Sequence, residues 1–320
     1  MITGLFEIKH KDIIVGLFGL CVIIGNVISP IVGGAVTAAK GWQWSFWITA
    51  ISGGSLTICS FAVFRETNAR IILERRARKI QKETGEMRWH SKLSLSDKPS
   101  FGETFLSSST LPIKMLASSP VVLITSICCG FMSSQLFIIF STLPAALQTT
   151  YKFSTGAVGL SFLGLGVGMF VGAIFVGAMS AFIRKRTNKP EFHIPVAIIS
   201  PFFAMAGFLI YGWTLQYRVH WMAPIVGIGF IGMGSSGIHG PLTRYLIDAF
   251  PAFSVSAIAS ITVARALMSG FLPVGSPQLY KTLGYGWGNS LLAFINLLMV
   301  PTLWLLYKYG GTLRRKSNRW

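Results

Sequence analysis

The sequence is poor in charged residues, above all in acidic ones. Charged side chains make up 12% of the 320 residues, whereas soluble domains average about 25%. Only 10 residues are Asp or Glu, hydrophobic residues reach 52%, and the mean hydropathy is +0.60. A soluble fold could not cover so much apolar surface with so few charges. This composition excludes a soluble globular enzyme and an intrinsically disordered chain, and it indicates a membrane protein.

Motifs for catalysis, cofactor binding and metal binding are also missing. The four cysteines lie in apolar runs without metal-ligand spacing, and the five histidines do not cluster. The string Gly164-x-Gly166-x-Gly168 lies inside a long apolar run with no strand before it. It therefore predicts close helix packing and not a dinucleotide site. We expect no enzyme activity, no cofactor and no metal.

What the sequence has in quantity is long apolar runs. Eight of them reach the roughly 20 residues that cross a bilayer as a helix, and exposed strand edges are not tolerated in lipid. The predicted fold is therefore all-α, a polytopic membrane helical bundle. The predicted segments are 12–38, 44–64, 120–146, 157–183, 193–213, 221–247, 254–275 and 287–307.

Basic residues are distributed unequally between the two sides of these segments. With the N-terminus placed in the cytoplasm, 23 of the 28 Lys and Arg fall on the cytoplasmic side and 4 in outer loops. Because cytoplasmic loops of membrane proteins carry such an excess, both termini are expected in the cytoplasm. The net charge of +18 thus indicates topology, and no nucleic acid is expected as a partner.

The stretch 65–117 is the one sizeable segment outside the predicted spans, and we expect it to form a central cytoplasmic loop. Residues 67–85 predict a short amphipathic helix with an i,i+4 ion pair between Lys79 and Glu83. The apolar side of this helix is expected to lie along the membrane surface. The Ser-rich residues 91–109 are expected to be loosely ordered.

Several strings of the sequence are typical of one family of transporters. They are Gly41-Trp42-Gln43-Trp44-Ser45-Phe46-Trp47-Ile48, Arg65-Glu66-Thr67, Arg75-Arg76-Ala77-Arg78-Lys79, Phe153-Ser154-Thr155-Gly156, Gly164-Leu165-Gly166, Tyr245-Leu246-Ile247-Asp248 and Tyr309-Gly310. Their order and spacing resemble fungal members of the major facilitator superfamily, in the drug:proton antiporter branch with twelve helices. In that branch the fifth helix carries an antiporter motif, which Gly25, Pro30, Gly33 and Gly34 match in part. Asn26 and Ser29 depart from that motif.

The resemblance covers nearly the whole chain and aligns the eight segments with helices five to twelve of that branch. It implies that residues 1–64 hold the last two helices of an N-terminal half-bundle. Residues 118–310 would form the six-helix C-terminal half-bundle, joined by the central loop 65–117 and followed by a basic cytoplasmic tail at 311–320. On this alignment the first four helices of the family, and the Asp-Arg-x-Gly-Arg loop among them, are expected to be missing from the chain.

The resemblance also implies a function. Relatives of this kind export small amphipathic organic molecules, such as drugs, toxins and secondary metabolites, in exchange for protons. Two half-bundles rock about a site near the bilayer midplane. The expected partners are the lipid bilayer, the substrate and protons, in the plasma membrane or the vacuolar membrane. Two alternatives stay open: a truncated, non-transporting protein, degenerate or regulating a full-length relative, and an importer of polyamine-like cations.

Polar residues inside the apolar runs are the candidates for the substrate and proton pathway, because ionisable groups are costly in lipid. Arg265 lies near the middle of its segment and could bind an anionic or polar substrate group, or have a structural role. His239 could carry a proton or form a neutral hydrogen bond inside the bundle. The amides of Gln135, Asn289 and Asn296 could line a cavity or join helices by hydrogen bonds.

A second set of candidates lies at the cytoplasmic end of segment 221–247. Asp248 follows Arg244 by one helical turn and could pair with it, and Tyr245 lies between them. These three residues are candidates for a cytoplasmic gate. A plain ion pair at the membrane interface is the alternative.

Overall fold

The computed structural model describes residues 8–63, 69–85, 101–184 and 190–317. These residues form helices and short 3₁₀ turns, and no strand occurs among them. The ten helices of the described residues are α1 (Ile8–Lys40), α2 (Trp42–Val63), α3 (Ala69–Thr84), α4 (Phe101–Ser118), α5 (Pro120–Tyr151), α6 (Thr155–Arg184), α7 (Ile194–Gln216), α8 (Met222–Ala249), α9 (Ser254–Phe271) and α10 (Ser276–Ser317). The prediction of an all-α fold is confirmed.

Seven helical stretches of the described residues are long and apolar enough to cross a membrane. Six of them coincide with single predicted segments. The seventh, Ser254–Arg314, has 61 residues, about three times the length that one crossing needs. It holds α9 and α10 and so contains both remaining predicted segments. The protein is therefore an integral, multi-pass membrane protein.

Helix α10 changes direction at Gly284. The φ of this residue is 72° and its ψ is 175°, a conformation that glycine adopts without a side-chain clash. Gly286 lies at the start of the part of α10 that follows the break, and its backbone N–H donates to Oε1 of Gln216 at 3.1 Å. A helix start has several such unsatisfied donors. The predicted segment 287–307 lies entirely in the part of α10 that follows this break.

Helices α5 to α10 pack around one buried core, and small residues bring the helices together. Where α6 meets α8, a Cβ on Gly168 would overlap the carbonyl group of Gly229. Where α7 meets α8, a Cβ on Gly207 would lie 2.6 Å from the carbonyl oxygen of Gly227. The prediction of close helix packing is confirmed for Gly168, and Gly207 adds a second contact of this kind, since small residues allow helix backbones to approach in a membrane.

Helices α1 and α2 lie at the side of this six-helix unit. Helix α1 packs antiparallel against α6, where a Cβ on Gly34 would lie 3.0 Å from the carbonyl oxygen of Thr155 and 3.2 Å from Cα of Gly159. Helix α2 follows α1 after Gly41, and none of its residues is buried. The core of the described residues therefore lies almost entirely within α5 to α10.

The first part of the central segment forms the predicted short helix. Helix α3 ends at Thr84, and the N–H of Gly85, whose φ is +70°, donates to the carbonyl of Gln81 at 3.0 Å. The expected ion pair is present, with Nζ of Lys79 3.9 Å from Oε1 of Glu83. Both side chains are well exposed, so this pair stabilises the helix only slightly.

The second part of the central segment is more ordered than its composition predicts. Helix α4 begins at Phe101, so the expectation of loose order is wrong for residues 101–109; residues 91–100 lie outside the described part. Helix α4 gains tertiary contacts that composition does not show. Oγ of Ser260 in α9 donates to the carbonyl of Pro112 at 2.8 Å, and Met115 is buried against the core. Such packing overrides weak local propensity.

Candidate functional site

Polar residues of α5 and α8 meet near the middle of the six-helix unit, and an arginine of α9 lies near them. Oγ of Ser133 in α5 lies 3.1 Å from Nε2 of His239 in α8, a hydrogen bond. Arg265 in α9 is close enough for its charge to act on His239. The side chain of Arg265 is exposed on the surface of the unit. We call Ser133, His239 and Arg265 the mid-span site.

The depth of the mid-span site follows from helix geometry. Helices α5, α7 and α9 begin at one side of the unit, and helices α6, α8 and α10 finish there. We call this side the inner end. The three residues lie ten to thirteen residues from this end along their helices. At 1.5 Å per residue this is about 15–20 Å, roughly half of a 30 Å hydrocarbon core.

A close approach between α5 and α9 brings Arg265 near the other two residues of the mid-span site. A Cβ on Gly130 would lie 2.6 Å from Sδ of Met268 and 3.2 Å from the carbonyl oxygen of Ala264. The charge of Arg265 also acts on Cys129, the residue before Gly130. A glycine in α5 thus permits the helix contact that positions the arginine.

An aromatic group continues the mid-span site toward the outer end. Phe137 follows Ser133 by one turn on the same face of α5, and its side chain is 52% exposed. The rings of Phe137 and Phe140 are 6.1 Å apart at their centres and nearly perpendicular. Phe140 stacks on Phe162 of α6 with ring centres 5.4 Å apart. We call Phe137, Phe140 and Phe162 the aromatic wall.

The three predicted amides lie elsewhere, in the interior of the unit. Gln135 is 1% exposed, and neither its Oε1 nor its Nε2 has a hydrogen-bond partner among the described residues. Asn289 accepts a hydrogen bond from the hydroxyl of Tyr280 at 3.0 Å and donates to the carbonyl of Tyr285 at 2.8 Å. Asn296 is fully buried, and its Oδ1 has no described partner.

The amide of Gln135 and the hydroxyl of Ser133 point to opposite sides of α5. Two residues are about 200° apart around a helix. Protein covers both sides of α5 at this level, because Ser133 is 5% exposed where it meets α8 and Gln135 is 1% exposed. Of the mid-span site, His239 is partly buried and Arg265 is exposed. A role of the amides in lining a cavity stays a prediction.

The candidate gate residues lie at the inner end with partners that the sequence does not suggest. Oδ2 of Asp248 lies 3.1 Å from Nε2 of His193. The 3₁₀ turn Pro190–His193 carries this imidazole to the end of α8. Among the described residues no ion pair joins Asp248 to Arg244. The expectation that these two residues pair is therefore wrong.

A second contact at the inner end involves α10. Nη1 of Arg314 lies 3.7 Å from Oε1 of Glu191. The buried hydroxyl of Tyr245 packs against Gly310, where a Cβ would lie 2.8 Å from that oxygen and 3.8 Å from Cγ of Glu191. The turn after α6 is thus tied to the ends of α8 and α10.

Comparison with known proteins decides the family. The model of the Major Facilitator Superfamily matches residues 1–273 of the chain. The chain belongs to the Major Facilitator Superfamily. Members are transporters and not enzymes, in agreement with the absence of catalytic motifs from the sequence.

The relatives of this facilitator chain are fungal proteins. It is 38% identical to the efflux pump radE of Floropilus chiversii, over 98% of this chain and 59% of that protein. It is 37% identical to the MFS-type transporter hepF of Aspergillus oryzae, over 100% of this chain and 65% of that protein. The chain spans about three fifths of the length of these curated relatives. The resemblance to fungal members of the major facilitator superfamily is confirmed.

Helix α1 of this facilitator chain is the one that resembles the antiporter-motif helix. The four motif residues differ in their contacts. A Cβ on Gly25 or Gly33 would have no neighbouring atom within 4 Å. Gly34 packs against α6, and the carbonyl oxygen of Pro30 would lie 2.8 Å from a Cβ on Gly159. Half of the motif therefore contributes to the contact between α1 and the six-helix unit.

Sequence analysis missed His193, Glu191 and Arg314. One signal could have found Glu191, because it is the only acidic residue between Glu103 and Asp248 and directly precedes a span. No comparable signal marks His193 or Arg314. In the described part of the chain, no group of three or more His, Cys, Asp or Glu could hold a metal ion.

Proposed function

We propose that the protein takes part in proton-coupled export of small amphipathic organic molecules by alternating access. The observation that carries this proposal is the mid-span site, a polar group half-way along three helices of a facilitator chain. A charged group at such a depth costs about 3 kcal/mol on insertion scales and usually has a function. A relative at 38% identity is named an efflux pump, which supports the direction of transport.

The mid-span site suggests a division of roles. Arg265 binds the substrate, because its guanidinium is exposed and offers several hydrogen-bond donors. His239 takes up and releases the proton, since imidazole is the side chain whose charge changes near neutral pH. The buried amides of Gln135, Asn289 and Asn296 support the helices around the site and bind water or substrate when the unit opens.

The inner-end residues serve as a gate in this proposal. Tyr245 and Asp248 of α8 contact the segment that follows α6, so movement of α8 would break the contact between Asp248 and His193. Arg244 lies beside them and faces the same end. Opening and closing of these contacts would accompany the rocking of the helices.

The distribution of basic residues supports a cytoplasmic inner end and cytoplasmic termini. The protein then works in the plasma membrane, where it would export its substrate from the cell, or in the vacuolar membrane, where it would move the substrate into the vacuole. The lipid bilayer, protons and the small molecule are its partners.

The experiment uses inside-out membrane vesicles from a yeast strain that lacks its own drug exporters. Vesicles with the protein should accumulate members of a panel of fluorescent amphiphiles when a proton gradient is present, and an uncoupler should abolish this accumulation. His239→Gln should remove the response to the gradient, whereas Cys59→Ser, at an exposed thiol of α2, should not.

Two results would favour the alternatives. If no compound of the panel accumulates with the wild-type chain, the proposal fails and a non-transporting protein that regulates a full-length relative becomes the better account. If polyamines move in the opposite direction, the chain belongs to an importer of cations.

A further inference from the structure

The exposed side of the mid-span site carries a positive charge that the described protein does not neutralise. Arg265 is the one charged residue of the described spans that lies near mid-depth; the others lie toward the helix ends. None of the ion pairs among the described residues includes Arg265. The neighbouring polar groups, Ser133 and His239, are uncharged or become positive on protonation. The local field therefore favours an anion.

The hydrogen-bond donors of the mid-span site indicate which kind of anion would bind there. A guanidinium presents a planar fork of donors that matches the two oxygens of a carboxylate. Ser133 and His239 are bonded to each other, and the pair keeps one N–H or O–H that can donate at the same depth. A carboxylate or another acidic oxygen group can accept from Arg265 and from the remaining donor of this pair, whereas an ammonium group would be repelled by the like charge of Arg265.

The aromatic wall begins one helical turn away from this charge. Phe137 lies four residues and Phe140 seven residues beyond Ser133 on the same face of α5. At 1.5 Å per residue these rings lie about 6 and 10 Å farther along the helix. Phe162 is buried and holds the partly exposed ring of Phe140 by stacking on it. The accessible apolar surface for a flat ring is therefore formed by Phe137 and Phe140.

We propose that the transported substrate is an amphipathic aromatic acid, whose anionic group binds Arg265 and whose ring system lies against the aromatic wall. The proposal rests on the proposed transport function and adds the chemical class of the substrate. A fused bicyclic acid has the required length, since its acidic group and far ring edge are separated by about the distance from Ser133 to Phe140.

The test compares three probes with one ring system and different charge. They are 2-naphthoate, an anion at neutral pH; 2-naphthamide, which is neutral; and 2-naphthylmethylamine, a cation. Binding is measured by equilibrium dialysis with the full chain in lipid nanodiscs, and empty nanodiscs correct for partition into lipid. We expect 2-naphthoate to bind about tenfold more tightly than 2-naphthamide, as one charge-assisted hydrogen-bonded pair provides, and the amine to bind most weakly.

Variants connect this preference to the residues. Arg265→Gln should reduce the affinity for 2-naphthoate to that for 2-naphthamide. Arg265→Lys should keep part of the difference in affinity between the acid and the amide. Unchanged affinity for 2-naphthamide shows that the variants are folded. Phe140→Leu should weaken binding of the acid and the amide by similar factors. Arg218→Gln, at an exposed arginine of the turn after α7, serves as the matched control and should change nothing.

Equal affinities for acid and amide, absence of binding by the acid, or a preference that survives Arg265→Gln would each overturn the inference. Because the measurement needs no transport, it is separate from the vesicle experiment. Binding of the acid that depends on Arg265 in a chain that moves nothing would refute export and leave only the assignment of Arg265 as a binding site for aromatic acids. Export without a preference for the acid would refute the inference alone.

Discussion

Helices α2 and α5 have similar potential to cross a membrane and very different surroundings. Both meet the length and hydropathy that a span requires, yet 72% of the most apolar window of α5 is buried and none of that of α2. The glycines of the two helices differ in the same way. Gly53 and Gly54 of α2 have no neighbour within 4 Å of a Cβ, whereas Gly130 of α5 packs tightly on α9. Hydropathy therefore identifies the spans, and small residues that meet a second backbone build the core.

The strongest test of this contrast is a large side chain at the centre of the α6–α8 contact. Gly168→Leu would force α6 away from the carbonyl of Gly229, at a cost of about 3 kcal/mol or more. Gly54→Leu in α2 should change the stability by less than about 0.5 kcal/mol. Thermal unfolding of the purified protein measures both.

If Gly168→Leu yields no folded protein, Gly168→Ala supplies the measurement. A single methyl group there already overlaps the carbonyl of Gly229, so a clear decrease in the unfolding temperature is expected. Equal unfolding temperatures for the Gly168 and Gly54 variants would show that the contrast in packing has no energetic consequence.

An intermediate effect is expected where the two regions meet. Gly34→Leu would separate α1 from α6 at a cost of about 1–3 kcal/mol, and leave the core of α5 to α10 intact. Hydrogen exchange should become faster in the second half of α1 and stay unchanged in α7. The neighbouring Gly33→Leu, whose side chain would point into open space, is the control; if it has the same effect, the contact at Gly34 does not hold α1.

The smallest effect is expected at the inner end. The side chain of Asp248 is 51% exposed and that of His193 18%, so solvent weakens their interaction. Asp248→Asn should lower the stability by no more than about 1 kcal/mol. A double-mutant cycle with His193→Gln isolates the pair. A coupling energy well above 1 kcal/mol would show that this contact is a structural anchor of the unit.

Sequence patterns were sufficient for features that depend on one helix at a time. Apolar runs predicted the spans, and the depth of Arg265 and His239 followed from their positions in those runs. The close packing of Gly168 was also predictable, because its neighbours at i−4 and i+4 are glycines and form one small-residue face.

Features that depend on two distant elements were not predictable. Helix α4 is stabilised by contacts such as that between Ser260 and Pro112, 148 residues apart. The pairing of Asp248 with His193 instead of Arg244 depends on the turn that brings His193 to α8. Periodicity places Ser133 and Gln135 on opposite sides of α5, but only the packing of the neighbouring helices shows that both side chains are buried.

The central claim is that the exposed face of α5 borders a water-filled substrate pathway and not lipid. The most direct measurement places single cysteines, in a background without the four native ones, at Phe137 on this face and at Ile139 on the buried face. A membrane-impermeant thiol reagent is then applied to both sides of reconstituted membranes. We predict that Phe137→Cys reacts at least about tenfold faster than Ile139→Cys, because a thiolate forms in water and not in an apolar core. If Phe137→Cys is as unreactive as Ile139→Cys, this face lies in lipid and the account is contradicted.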